Sequence, residues 1–177
     1  HGRMKSAEKE EVMAAFTDLD QLRGESWSAA ARPQYPTWEQ CEPPPDKGIE
    51  FRRLIEMRLV TGVELFHERK TNGSGEFCGW VAHGDGGDAD VISLLMFADS
   101  FPPPIFTVLG PVGWVPTLEL TVQVRAHPAP GPLQVRLNTR HLSRGVLEED
   151  GEYWDSAGAL VAISRQTAKV RLPRDGR

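Results

Sequence analysis

Four stretches in the second half of the chain alternate apolar and polar residues: 117–126, 133–143, 145–155 and 159–170. A two-residue period is the mark of a strand with one buried face. Turn-forming residues separate the stretches: Pro128-Ala129-Pro130-Gly131, Ser143-Arg144-Gly145 and Asp155-Ser156-Ala157-Gly158. Connections this short join only antiparallel neighbours, because a parallel crossover needs a dozen residues or more. This half of the chain is therefore committed to an antiparallel sheet.

The preceding segment supplies what covers that sheet. Ile49, Phe51, Ile55, Met57 and Leu59 share one parity, so 49–60 reads as a strand, and 76–83 reads as a second after a turn-rich loop at 70–75. Gly84-Asp85-Gly86-Gly87 ends it, and Asp88 or Asp90 offers an N-cap to a helix from Ala89 to about Phe101. Val91, Ile92, Leu94, Leu95, Met96 and Phe97 make that helix apolar almost all round, which predicts a buried helix. Pro102-Pro103-Pro104 stop it. One helix among about six antiparallel strands gives an α+β fold, a curved sheet wrapped around a single helix.

The first 48 residues have a different texture. Met13, Phe16, Leu19 and Leu22 predict a helix over 5–22, and five prolines between Gly24 and Gly48 predict an extended arm. Trp27, Tyr35 and Trp38 suggest that the arm lies on a surface. The expected division is 1–48 for helix and arm, 49–172 for the sheet domain and 173–177 for a tail.

A net charge of −5 with scattered Lys and Arg argues against nucleic acid as a partner. No apolar run approaches the roughly 18 residues of a membrane span. Cys41 and Cys78 form no CxxC pair, and no signal-peptide pattern opens the chain. A reducing cytoplasm is the expected compartment.

Three polar residues stand where packing alone would not put them. Asp99 lies near the C-terminal end of the apolar helix, where the negative end of the macrodipole disfavours an ionised carboxylate by roughly 0.3–1 kcal/mol. It is a candidate general base, or else a residue bonding into the proline turn. Thr117 opens a strand after Trp114-Val115-Pro116, and its hydroxyl either holds a water or carbonyl oxygen or does ordinary strand work. Gln166 interrupts the mostly apolar parity Leu160, Ala162, Ser164, Ala168, Val170. A buried amide must find partners, and the alternative is an exposed place near the sheet edge. Together the three fit activation of a water by a carboxylate, oriented by an amide and a hydroxyl, with no metal and no cofactor. Asp85, Asp88 and Asp90 lack calcium-loop spacing, and no G-x-S-x-G, Walker A or G-x-G-x-x-G pattern occurs. Arg125, Arg136 and Arg140 read as a solvated face, or as contacts for the phosphates of a nucleotide-bearing thioester.

"LLMFADSFPPPIF" followed by "GWVPTLELTVQVRAHPAPGPLQVRLNTRHLSRGVLEEDGEYWDSAGALVAISRQTAKV" resembles the thioesterase-like hotdog superfamily, in particular the acyl-CoA thioesterase II type. The likeness runs from about Ile49 to Val170. It implies hydrolysis of acyl-CoA by a water activated through Asp99, Thr117 and Gln166. An acyl tail would lie along Leu95, Phe101, Phe106 and Trp114, and backbone N–H groups near Gly86 to Asp90 would hold the oxyanion. Family chains usually carry two hotdogs in tandem, and here helix and arm stand in place of the first. The resemblance thus implies a homo-oligomer or pairing with a missing N-terminal hotdog. A hotdog that binds acyl-CoA without turnover, or that serves in oligomerisation, is the alternative.

Overall fold

The computed structural model describes residues 32–45, 53–111 and 113–171. The helix expected over 5–22, Trp27, Ile49, Phe51 and the 173–177 tail lie outside them. The alternating stretches become strands in the expected places: β3 (Thr117–Val124), β4 (Leu133–Asn138), the two-residue β5 (Leu142–Ser143), β6 (Val146–Trp154) and β7 (Leu160–Lys169). With β1 (Ile55–Leu59) and β2 (Glu76–His83) they form one antiparallel sheet in the order β1-β2-β4-β6-β7-β3, and β5 pairs with β6. The helices are short: α1 (Val63–His67), α2 (Val91–Phe97) and α3 (Phe106–Leu109).

Alternation fixes which face is inside. Leu133, Val135 and Leu137 of β4 and Tyr153 of β6 are at most 1% exposed and meet Leu94 and Phe97 of α2 in one cluster. Each such side chain contributes roughly 1.5–3 kcal/mol. This is the α+β hotdog arrangement, a curved sheet around one helix.

Three expectations need correction. Arg53 and Leu54 are not part of β1, which begins at Ile55, because its partner β2 ends at His83 and turns away: the Gly84 N–H donates to Leu54 O, and the Gly86 N–H to His83 O. α2 is shorter than expected and not buried all round. Ile92 and Leu95 are 67% and 47% exposed, since a single sheet covers only one side of the helix. The 133–143 stretch breaks after Asn138, where the chain leaves the β4 ladder before the short β5. α1, absent from the sequence reading, is preceded by Gly62 as N-cap, whose φ of +77° favours glycine. A Cβ there would stand 2.1 Å from Phe77 Cε1.

The arm at 32–45 packs on the sheet. Trp80 Nε1 donates to Pro36 O at 3.0 Å, and Arg32 Nε donates to Gln134 Oε1. The Arg58 guanidinium lies 4.4 Å from the Trp38 ring centroid and donates to Trp38 O at 2.9 Å. Burial pushes the Cys78 thiol up to about 11 and raises the Tyr35 phenol further above its ordinary range. The three aspartates of the β2–α2 segment serve the backbone. Asp90 accepts from Ser93 N at 2.7 Å as the α2 N-cap, Asp85 accepts from Gly87 N, and Asp88 accepts from Gly131 N. Among the described residues, no helix is long and apolar enough to cross a membrane.

Candidate active site

Asp99 sits in the turn that ends α2, where its N–H donates to Met96 O and the Ser100 N–H to Phe97 O, both at 3.3 Å. Pro102-Pro103-Pro104 then carry the chain away. The carboxylate is left at the surface beside the first residue of β3, Thr117.

A β-bulge decides where the Thr117 hydroxyl points. On β3, Leu120, Val122 and Val124 pair with Gln166, Ser164 and Ala162 of β7, which places their side chains on the inner face. Uninterrupted alternation would send Thr117 to the outer face. The register shifts between Thr117 and Glu119, so Thr117 pairs with Ala168, on the same face as Gln166. Re-aiming one side chain is a recurrent use of a bulge.

The three candidates then form a directional chain. Gln166 Nε2 donates to Thr117 Oγ1 at 2.8 Å, and Thr117 Oγ1 donates to Asp99 Oδ1 at 3.1 Å. Gln166 is 6% exposed, which places it inside and not at an exposed edge. Asp99 and Thr117 are exposed, so the set is open to solvent on one side. Among the described residues, Asp99 Oδ2 has no hydrogen-bond partner. A cleft of about 400 Å³ lies over the set, bordered also by Phe101, Pro103, Trp114 and Val115. Leu95 and Phe106 do not border it: Leu95 is exposed on α2, and Phe106 packs between two apolar clusters. Of the N–H groups expected to hold an oxyanion, three are engaged: Gly86 donates to His83 O, Gly87 to Asp85 and Asp90 to Ser93 Oγ. Arg136 is held by Glu76 at 2.9 Å.

A fourth polar residue borders the same cleft: Glu149 of β6. It is 5% exposed and pairs with Gln166 across the β6–β7 ladder. Burial, joined by the negative charges of Asp99 and Asp150, pushes its carboxyl up to about 8. The sequence reading missed it, although the signal was present. Leu147, Glu149, Gly151 and Tyr153 share the buried parity of β6, and a carboxylate in that row is as anomalous as Gln166 in β7.

Known proteins share this fold. Residues 29–170 match the profile of the acyl-CoA thioesterase C-terminal domain. The chain belongs to that family. A crystal structure of a provisionally assigned thioesterase II from Thermobifida fusca is 34% identical with a TM-score of 0.71, covering 85% of this chain and 57% of that one. A hot dog fold protein of unknown function from Alicyclobacillus acidocaldarius is 22% identical with a TM-score of 0.73, covering 85% of this chain and 59% of that one, and shares the fold. An uncharacterised protein of Mycobacterium tuberculosis is 35% identical over 81 residues, which cover 46% of this chain and 28% of that protein. The chain thus spans little more than half the length of these two solved structures and about a quarter of the curated protein it matches.

Proposed function

We propose that this chain hydrolyses acyl-CoA thioesters to a free acid and coenzyme A, with Asp99, Thr117 and Gln166 as the catalytic set. The observation that carries this reading is the chain of donors from Gln166 through Thr117 to Asp99. Thr117 spends its proton on Asp99 Oδ1 and receives one from Gln166. That leaves Asp99 Oδ2 as the acceptor for a water's proton and the second N–H of Gln166 to hold the water's oxygen. A water so held presents a lone pair to a thioester carbonyl in the cleft. Asp99 takes its proton as the C–O bond forms, and the C–S bond then breaks to release the thiolate. Phe101 and Trp114 would line the start of the acyl path.

In this reading 49–172 is the catalytic domain, 1–48 a helix with its arm, and the cytoplasm the working compartment. The exposure of Asp99 and Thr117 favours a site completed by a second hotdog, from another copy or from a preceding domain. The test is thiol release from short-, medium- and long-chain acyl-CoAs, comparing this chain with Asp99→Asn. Loss of a general base predicts a 10²–10⁴-fold fall in turnover. A correctly folded protein with no turnover on any ester would instead favour a module that binds acyl-CoA without hydrolysing it.

A further inference from the structure

Gln166 Oε1 is buried and has no hydrogen-bond partner among the described residues. An amide oxygen in that state costs roughly 1–3 kcal/mol, and buried acceptors are nearly always satisfied. Its donor must come from a neighbour on the same face. Glu149 stands directly opposite Gln166 in the β6–β7 register, and in antiparallel pairs opposed Cβ atoms lie about 4.5–5.5 Å apart. Ser164, two residues along the same face, is engaged with the Tyr153 hydroxyl at 3.3 Å. Glu149 forms no ion pair among the described residues, and no Lys, Arg or His borders the cleft.

We propose that Glu149 is a positioning residue of this site: its carboxylic acid donates a hydrogen bond to Gln166 Oε1 and so fixes which way the amide faces. The inference rests on the hydrolase reading for its consequence and on the β6–β7 geometry for its existence. An amide can present either end. With Oε1 tied to Glu149, Nε2 faces Thr117, and every donor along the chain points toward Asp99. Ionised Glu149 would only accept. The amide would then turn its N–H groups to Glu149 and its oxygen to Thr117. Thr117 would donate to Gln166 in place of Asp99, and the water would lose its holder. The charged group facing Glu149 is Asp99 from the turn after α2, with the Tyr153 phenol nearby and Gln166 and Thr117 opposite on β7 and β3; Asp150, next along the strand, lies on the other face, where Arg165 holds it at 2.6 Å. Burial favours the neutral acid first, and the negative charge of Asp99 adds to it.

Three proteins test this: wild type, Glu149→Gln and Glu149→Leu. Gln keeps a donor at the position, whereas Leu keeps only bulk. Glu149→Gln should retain kcat within a few-fold and lose the alkaline limb that wild type shows near pH 8. Glu149→Leu should lose 10- to 100-fold in kcat with little change in KM. Independently of activity, the Gln166 side-chain amide resonances should shift with pH through about 8 in wild type and stay fixed in Glu149→Gln. Equal loss in both variants, loss in neither, or amide resonances that ignore pH in wild type would overturn the proposal. An amide titration in a protein that hydrolyses no thioester would overturn the hydrolase reading alone.

Discussion

Glu149 makes the stability of the fold depend on pH in a way that one substitution isolates. Its carboxyl moves from 4.5 to about 8 on folding, chiefly through burial. At roughly 1.36 kcal/mol per pH unit, the folded state's preference for the proton reaches on the order of 5 kcal/mol. The group is 5% exposed, so solvent screens it little. Because the folded pKa is raised, this stabilisation is present in full below about 4.5. It falls steadily as pH rises and is gone above about 8, where folding must bury a charge. A glutamine carries no such proton. Urea unfolding of wild type and Glu149→Gln from pH 4.5 to 9 should therefore show the variant gaining relative stability up to about pH 8 and levelling off above it. Water entering from the Asp99 side of the cleft would trim the total, so the expected rise is about 2–5 kcal/mol. Other carboxylates, such as Asp90 and Glu148, which are held below their ordinary range, pull the other way at acid pH but cancel in the difference. A difference that stays flat with pH would mean that Glu149 is charged in the folded protein, which would refute the reasoning.

Three further outcomes are expected. Gly79→Ala should destabilise the fold by about 1–3 kcal/mol in urea titration, because a Cβ there would stand 2.3 Å from Arg58 O, a backbone atom of the neighbouring strand. Arg58→Ala removes the stacking on Trp38 and the bonds to Glu56 and to Trp38 O. Limited proteolysis should then cut within 32–45 faster, with a stability loss of roughly 1 kcal/mol. Thr117→Ser should keep thioesterase activity, whereas Thr117→Val, of similar shape but without the hydroxyl, should lose about 10²-fold in kcat.

Much of the fold was legible because period-2 patterning is a local property. The strands near 117, 133, 146 and 160, their short turns and the strand at Glu76–His83 all follow from residue order. The limits lay where partners decide. Leu54 directly precedes β1, yet a strand extends only as far as the neighbour it can bond to, and the ladder with β2 starts at Ile55. α2 has apolar residues on every side, but burial depends on what the sheet reaches, and Ile92 and Leu95 stay exposed.

The candidate site divides along the same line. The chain order alone marked Asp99 near the C-terminal end of an apolar helix and Gln166 in an apolar row, because each breaks a pattern within its own element. It also held Glu149 in plain view by the same rule. Only the tertiary structure brings Thr117 to them. Its parity on β3 points it outward, and one extra residue between Thr117 and Glu119 returns it to the inner face. The pairing of Glu149 with Gln166 is likewise a matter of β6–β7 register. Residue order sets what each element can bury, but register and bulges arise between elements, and they decide which side chains meet.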